Sequence, residues 1–283
     1  MTSAALDAGL CLLLISAAAV TVTSAPTPAV AVGDDRADAV AETLTAVTAD
    51  VPYTLRPVPN GGGNVDANPE YERVAHGTLA SLLADAAVGT VRVDGDALTG
   101  TTERFATAVR ATVAERLPGR TRVVVRWQPF PGAHLGREFA VGPTPPADAD
   151  VHAATVHAPS GVDSPRNASR AASGGGFTRL GSVVADSIVA GILPPAKGRL
   201  ALGDDAPLDD IVRHRYRRVS DRYGVETASA IGRGDTHAAN RRIAAVMARR
   251  VATDLRTTAE TPTDAVESLE LPTVEISVRT WSP

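Results

Sequence analysis

Six histidines, His76, His134, His152, His157, His214 and His237, are the side chains best suited to move a proton or hold a metal near neutral pH. None belongs to an HExxH pair. His152 and His157 are five positions apart on an expected strand, so they point to opposite faces and cannot share a metal. The chain lacks a GxSxG elbow, and its one cysteine, Cys11, lies in an apolar run where a thiol behaves as a small hydrophobe. One cysteine also excludes an intramolecular disulfide. The glycine run SGGGFTRLG, Ser173 to Gly181, imitates a phosphate-cradling loop but lacks the Lys-Ser/Thr of a P-loop and a strand directly before it, so it reads as a linker. No catalytic, cofactor-binding or metal-binding residue is assigned, and no cofactor is expected. An enzyme would have to be built from dispersed residues, which are recognised by geometry rather than by order.

Charge offers more. RHRYRR places Arg213, Arg215, Arg217 and Arg218 on an expected helix over 208–223, within a net basic stretch 207–255, while 34–96 is net acidic. The four arginines are a candidate docking face for an acidic partner, the plainer alternative being a solvated helix face. Asn167-Ala168-Ser169 is an acceptor triplet for N-glycosylation in an expected polar loop. Arg233-Gly234-Asp235 reads as a turn into a helix that Asp235 or Thr236 caps. Net charge is −4 and aromatic residues are only 4%, so neither polyanion attraction nor base stacking is supported and no nucleic-acid partner is expected.

These groups have to be positioned by a chain of 283 residues, enough for one large or two modest domains, with a hydrophobic fraction of 44%. The segment 8–25 carries no charge; as a helix it reaches about 27 Å, just short of a hydrocarbon core of about 30 Å. Pro26 and Pro28 stop it and open a tether over 26–33. Asp7 stands against the apolar run and no basic residue precedes it, which argues against an ordinary cleaved signal and for a transmembrane anchor over 1–25.

Beyond the tether, periodicity predicts a helix over 34–49, a strand over 52–58, a helix over 70–87 with Val74, Leu79, Leu82 and Leu83 inward, and a brief strand at TVRVDG. A helix over 101–117 repeats apolar residues at Phe105, Val109, Val113 and Leu117. The run 120–128, RTRVVVRWQ, alternates as a strand, followed by strands at 137–141 and 151–157. A polar loop over 159–176 leads to helices at 177–193, 208–223 and 236–257, and 273–281 alternates as a strand expected to return to the sheet. The expected fold is α+β: an N-terminal transmembrane helix, then an extracytoplasmic domain over 34–283 with a mostly antiparallel sheet, sheet-rich over 34–158 and helical with a closing strand over 177–283.

Three stretches, DAGLCLLLISAAAV, VVVRWQPFPGAHLGREFAVGPTPPADADVHAATVHAPSG and VEISVRTWSP, together resemble an uncharacterised haloarchaeal membrane-protein family encoded among genes for type IV or Tad-like pilus and secretion machinery. The resemblance implies a single-pass protein of the cell membrane with its C-terminal domain extracytoplasmic, whose partners are membrane lipid and other pilus or secretion subunits. Under it, Asp7 becomes an assembly residue, an acid at the edge of the apolar helix able to neutralise a neighbouring subunit's amine. The expected function is a pilin-like or accessory component of a surface-filament or secretion assembly. The alternatives are a membrane-tethered envelope enzyme, hydrolase-like, and an exported soluble domain after signal cleavage.

Overall fold

The computed structural model describes residues 35–55, 72–204 and 207–282. The expected anchor and tether, and Asp7 with them, lie outside the described residues. Helix α1, Arg36–Ala46, turns Ala37, Val40, Ala41 and Leu44 inward and ends as Val47 becomes extended. Strand β1, Thr48–Thr54, then pairs antiparallel with β2, Glu72–Thr78, from Thr48 opposite Thr78 to Thr54 opposite Glu72.

Here the structure corrects the expected helix over 70–87. Its residues Glu72–Thr78 are β2, and Val74 is 65% exposed instead of lying on a buried helix face. Val74, Gly77 and Thr78 are poor helix formers, and β1 offers a ladder for their amides. Helix α2, Leu79–Gly89, starts where Thr78 Oγ1 accepts the Ser81 amide at 3.1 Å, and buries Leu79, Leu82 and Leu83.

Strands β3, Arg92–Val93, and β4, Asp96–Ala97, form a small hairpin around Asp94-Gly95, both with positive φ, at 49° and 90°. A tight two-residue hairpin turn requires that conformation, and Asp and Gly are the residues that tolerate it. Helix α3, Glu103–Ala114, follows the expected period and buries Phe105, Val109 and Val113. Strands β5, Thr121–Trp127, β6, Leu135–Val141, and β7, Val151–Pro159, complete the first half. Strand β8, Thr273–Trp281, inserts between β5 and β7, giving an antiparallel six-stranded sheet in the order β4-β3-β6-β5-β8-β7.

One face of that sheet buries Val123, Val125, Trp127, Val156, Ile276 and Val278, with α1 and α2 packed near β7 and β8. The other face meets water. Its register lines up Glu138, Arg126, Glu275 and His157 across β6, β5, β8 and β7, so Arg126 stands between two carboxylates. As expected from their odd spacing, His152 and His157 sit on different faces, in register with Thr280 and Glu275.

The second half is helical: α4, Arg166–Ser173, α5, Gly176–Ile192, α6, Pro195–Leu202, α7, Leu208–Tyr223, α8, Ala228–Gly232, α9, Thr236–Thr258, and α10, Pro262–Glu267. Helix α4 replaces part of the expected polar loop. Helices α5 and α9 run antiparallel in close contact. A Cβ on Gly181 would stand 2.8 Å from both Ala248 O and Ala252 Cβ, so only glycine fits this crossing. Asp235 caps α9, accepting the Ala238 amide at 2.9 Å.

The fold is α+β with antiparallel sheets and packed helices. Among the described residues no single helix is long and apolar enough to cross a membrane. The apolar face of α5 (Leu180, Val184 and Ile188) is wholly buried in the domain.

Candidate functional site: the two sides of helix α7

Helix α7 has an apolar stripe, Ile211, Tyr216 and Val219, that turns it onto the core and divides its basic residues. Arg213 is exposed and ion-pairs with Asp209 one turn earlier at 3.5 Å. Arg217 donates to His214 Nδ1 at 3.0 Å, and Arg218 reaches across to donate to Ala97 O in β4 at 3.0 Å. Arg215 faces the other way. Its Nη2 donates to Ile192 O at the end of α5 at 2.8 Å, while its Nε is buried without a partner. The four arginines therefore do not form one face: Arg213, Arg217 and Arg218 are exposed and Arg215 is drawn inward. A helix of 3.6 residues per turn cannot keep 213, 215, 217 and 218 together, because two positions apart is more than half a turn.

Arg215 lines a cleft of about 450 Å³ enclosed by α2, the turn after β7, the end of α5, α6 and α7. Most of the wall is apolar, including Val88, Ile192, Leu193, Ile211 and Val212. Asp85 comes to it from α2 and Lys197, the one lysine of the chain, from α6. Burial against the wall pushes the Asp85 carboxyl up, an effect that Lys197 partly offsets, and burial pushes the Arg215 guanidinium down. Tyr216 forms part of the wall. Its hydroxyl donates to Asn240 Oδ1 at 2.7 Å, Asn240 Nδ2 donates to Leu193 O at 2.8 Å, and burial raises the phenol pKa.

A second constellation lies at the other end of α7. Asp254 Oδ2, on α9, accepts from His134 Nδ1 at 2.5 Å and from the His134 amide at 3.0 Å. The carboxylate holds the ring proton on Nδ1, so Nε2 accepts from the Tyr223 hydroxyl at 3.2 Å. This order resembles a proton relay, but burial raises the Tyr223 pKa and keeps the phenol protonated. A nucleophile needs the opposite shift. Nearby, Arg222 ion-pairs with Asp94 at 3.2 Å and Asp96 at 3.0 Å, and Arg250 with Asp94 at 3.1 Å. The assembly clamps the β3–β4 hairpin and the start of β6 to α7 and α9.

Asn167 is exposed in the first turn of α4, and the Ser169 of its triplet is fully buried. Among the described residues, no group of three or more His, Cys, Asp or Glu side chains could hold a metal ion.

Sequence reasoning singled out Arg215 for an exposed face and missed Asp85 and Tyr216 as cleft residues, as well as the pairing of His134 with Asp254 and Tyr223. Asp85 and Tyr216 come from α2 and α7, and His134, Asp254 and Tyr223 from the turn before β6, α9 and α7, so no spacing along the chain signals them. Neither a curated protein nor a solved structure matches the chain. One family model, described as "Family of unknown function (DUF7284)", matches residues 6–281, and the chain belongs to that family.

Proposed function

We propose that the protein is a membrane-anchored accessory component of a surface-filament or secretion assembly, in which one apolar segment holds an extracytoplasmic α+β binding domain. The observation that supports this reading is the uncharged run 8–25 followed by Pro26 and Pro28. It stands ahead of a domain in which, among the described residues, no single helix is long and apolar enough to span. The resemblance of three sequence stretches to proteins encoded beside pilus and secretion machinery supplies the assembly. Within it, Asp7 pairs with a neighbouring subunit, and the exposed Arg213, Arg217 and Arg218 meet acidic surface.

Cell fractionation with intact-mass measurement tests the anchoring: the full chain is expected in the membrane fraction with residues 1–25 retained. Recovery in the soluble fraction, or a mass lacking those residues, would sink the anchor. The assembly is tested by Asp7→Ala, which is expected to insert normally and to lose crosslinks to partner subunits, because an unpaired carboxylate near hydrocarbon favours a helix that neutralises it. Unchanged partner recovery would reduce residues 6–25 to an anchor alone.

A second reading, a membrane-tethered envelope enzyme, is favoured by His134 alone, which lines a polar cleft of about 440 Å³. Hydrolysis of ester or peptide probes that disappears in a folded His134→Gln variant would select it.

A further inference from the structure

The cleft between α2, α6 and α7 has polar functions already committed to the fold and others left unused, and the difference describes a ligand. Ser160 Oγ donates to Leu271 O at 2.6 Å and accepts the Val162 amide at 3.0 Å. The Tyr216 hydroxyl is committed to Asn240. What remains is charge. Arg215 uses Nη2 on Ile192 O, while its Nε is sealed from water with no acceptor, and Nη1 has no hydrogen bond among the described residues. The sealed Nε is out of a ligand's reach, so Nη1 is the donor left for an acceptor that enters the cleft. Lys197 forms no ion pair among the described residues and acts on Asp85 only through space.

We infer that this cleft binds an organic monoanion with an apolar body, a medium-chain carboxylate, its head group meeting Arg215 and Lys197 and its chain lying on Val88, Ile192, Leu193 and Val212. Charge selects the head group. Asp85 offsets at most one of the two cations, so the cleft carries net positive charge and takes an anion. Arg215 Nη1 offers the carboxylate one charge-assisted hydrogen bond, and Lys197 adds a point charge at the mouth. The wall selects the body, since a small hydrophilic anion would leave that apolar surface wet. The volume, about 450 Å³, lies within the range usual for small-molecule sites, about 300–1,000 Å³. The inference holds whether or not the chain is anchored, because every group it uses lies in the folded domain.

The test uses the full chain, in lipid nanodiscs where it fractionates with membrane and in buffer where it is recovered soluble, with protein-free samples of the same kind as reference, and octanoate, octanol, octylamine, octyl phosphate and inorganic phosphate as probes. Calorimetry and ligand-dependent shifts of the unfolding midpoint are the readouts. Octanoate is expected to bind and stabilise, octanol to bind at least tenfold more weakly, and octylamine and inorganic phosphate not to bind. Arg215→Met is expected to weaken octanoate by roughly tenfold to a hundredfold, the worth of one charge-assisted hydrogen bond. Lys197→Gln, at an exposed position that leaves the fold intact, is expected to weaken it several-fold, so the test stands even if Arg215→Met does not fold. Octanol binding as well as octanoate would overturn the ionic head-group contact. Tighter binding of octyl phosphate would move the site to phosphoanions and overturn the carboxylate. Failure of octanoate to bind, or binding indifferent to Lys197→Gln, would overturn the proposal outright.

Discussion

His134 and Asp254 lie 120 residues apart in the chain, yet one carboxylate oxygen of Asp254 accepts both the ring Nδ1–H of His134, at 2.5 Å, and its backbone amide, at 3.0 Å. The pair fastens the sheet to α9 just where β6 begins. Asp254→Ala leaves two donors of a nearly buried residue without an acceptor and frees Arg250 from its 3.5 Å ion pair. We expect a loss of about 1–3 kcal/mol in urea unfolding, read as a lower midpoint at unchanged slope. An unaltered midpoint would mean that water replaces the carboxylate at no cost.

Stability should also fall between neutral and mildly acid pH through His214. Its Nδ1 accepts from Arg217, its Nε2 is buried without a partner, and burial together with Arg217 and Arg218 pushes its pKa below the ordinary 6.5. The unfolded chain therefore takes up a proton there before the folded one does. Its contribution is fully present above the unfolded value and is lost as pH falls through 6.5 towards the lower folded value. The unfolding midpoint of the native protein should drop more steeply from pH 7.5 to 5.5 than that of His214→Gln. Parallel pH profiles for the two proteins would contradict this.

At Gly181 two effects compete. Alanine in a helix interior gains about 1 kcal/mol over glycine, but its Cβ would stand 2.8 Å from Ala248 O, and overpacking a tight contact costs about 1–3 kcal/mol. The clash is with backbone, which cannot swing aside, so packing wins. Gly181→Ala should lower the thermal midpoint, and a rise would show that α5 and α9 separate freely.

For Asn167 the structure changes what is expected of glycosylation. The asparagine is exposed, but Ser169 is fully buried in α4, so the triplet can be presented whole only before the helix docks. A glycan found by intact-mass measurement should therefore be added before α4 docks and not to purified folded protein. Asn167→Gln should shift the unfolding free energy by less than about 0.5 kcal/mol, as for other exposed positions. Efficient modification of the folded protein in vitro would show that α4 opens readily.

The elements that could be read from sequence are those whose period and environment agree. In β5 the alternation of Val123, Val125 and Trp127 against Arg122 and Arg126 is also the alternation of buried and solvated faces. In α9, Ile243, Met247, Val251 and Leu255 follow one stripe and are all buried. Strand β2 was illegible because its apolar Val74 lies on the exposed face while Arg73, Ala75 and Gly77 face the half-buried side, so hydrophobicity does not follow burial, and its state is set by pairing with β1. Helix α4 was illegible for a related reason, since RNASRAAS buries only Ser169 and Ala172. The cleft could not be anticipated, because Asp85, Lys197 and Arg215 come from three helices that only the packed core brings together.

The insertion of β8 between β5 and β7 also sets an order in time. Trp127, at the end of β5, donates its indole N–H to the carbonyl of Leu271, 144 residues further along and just before β8. A ribosome that has released β5, β6 and β7 has released a sheet with its fifth strand missing, one edge of β5 open and β7 without a partner in the sheet. Those edges are open ladders and invite wrong partners. A nascent chain of this protein must therefore stay unfolded, or be kept so by a chaperone, until residues 273–281 are free. If the domain is exported as proposed, that same delay would keep the polypeptide threadable through a translocation channel for most of its synthesis.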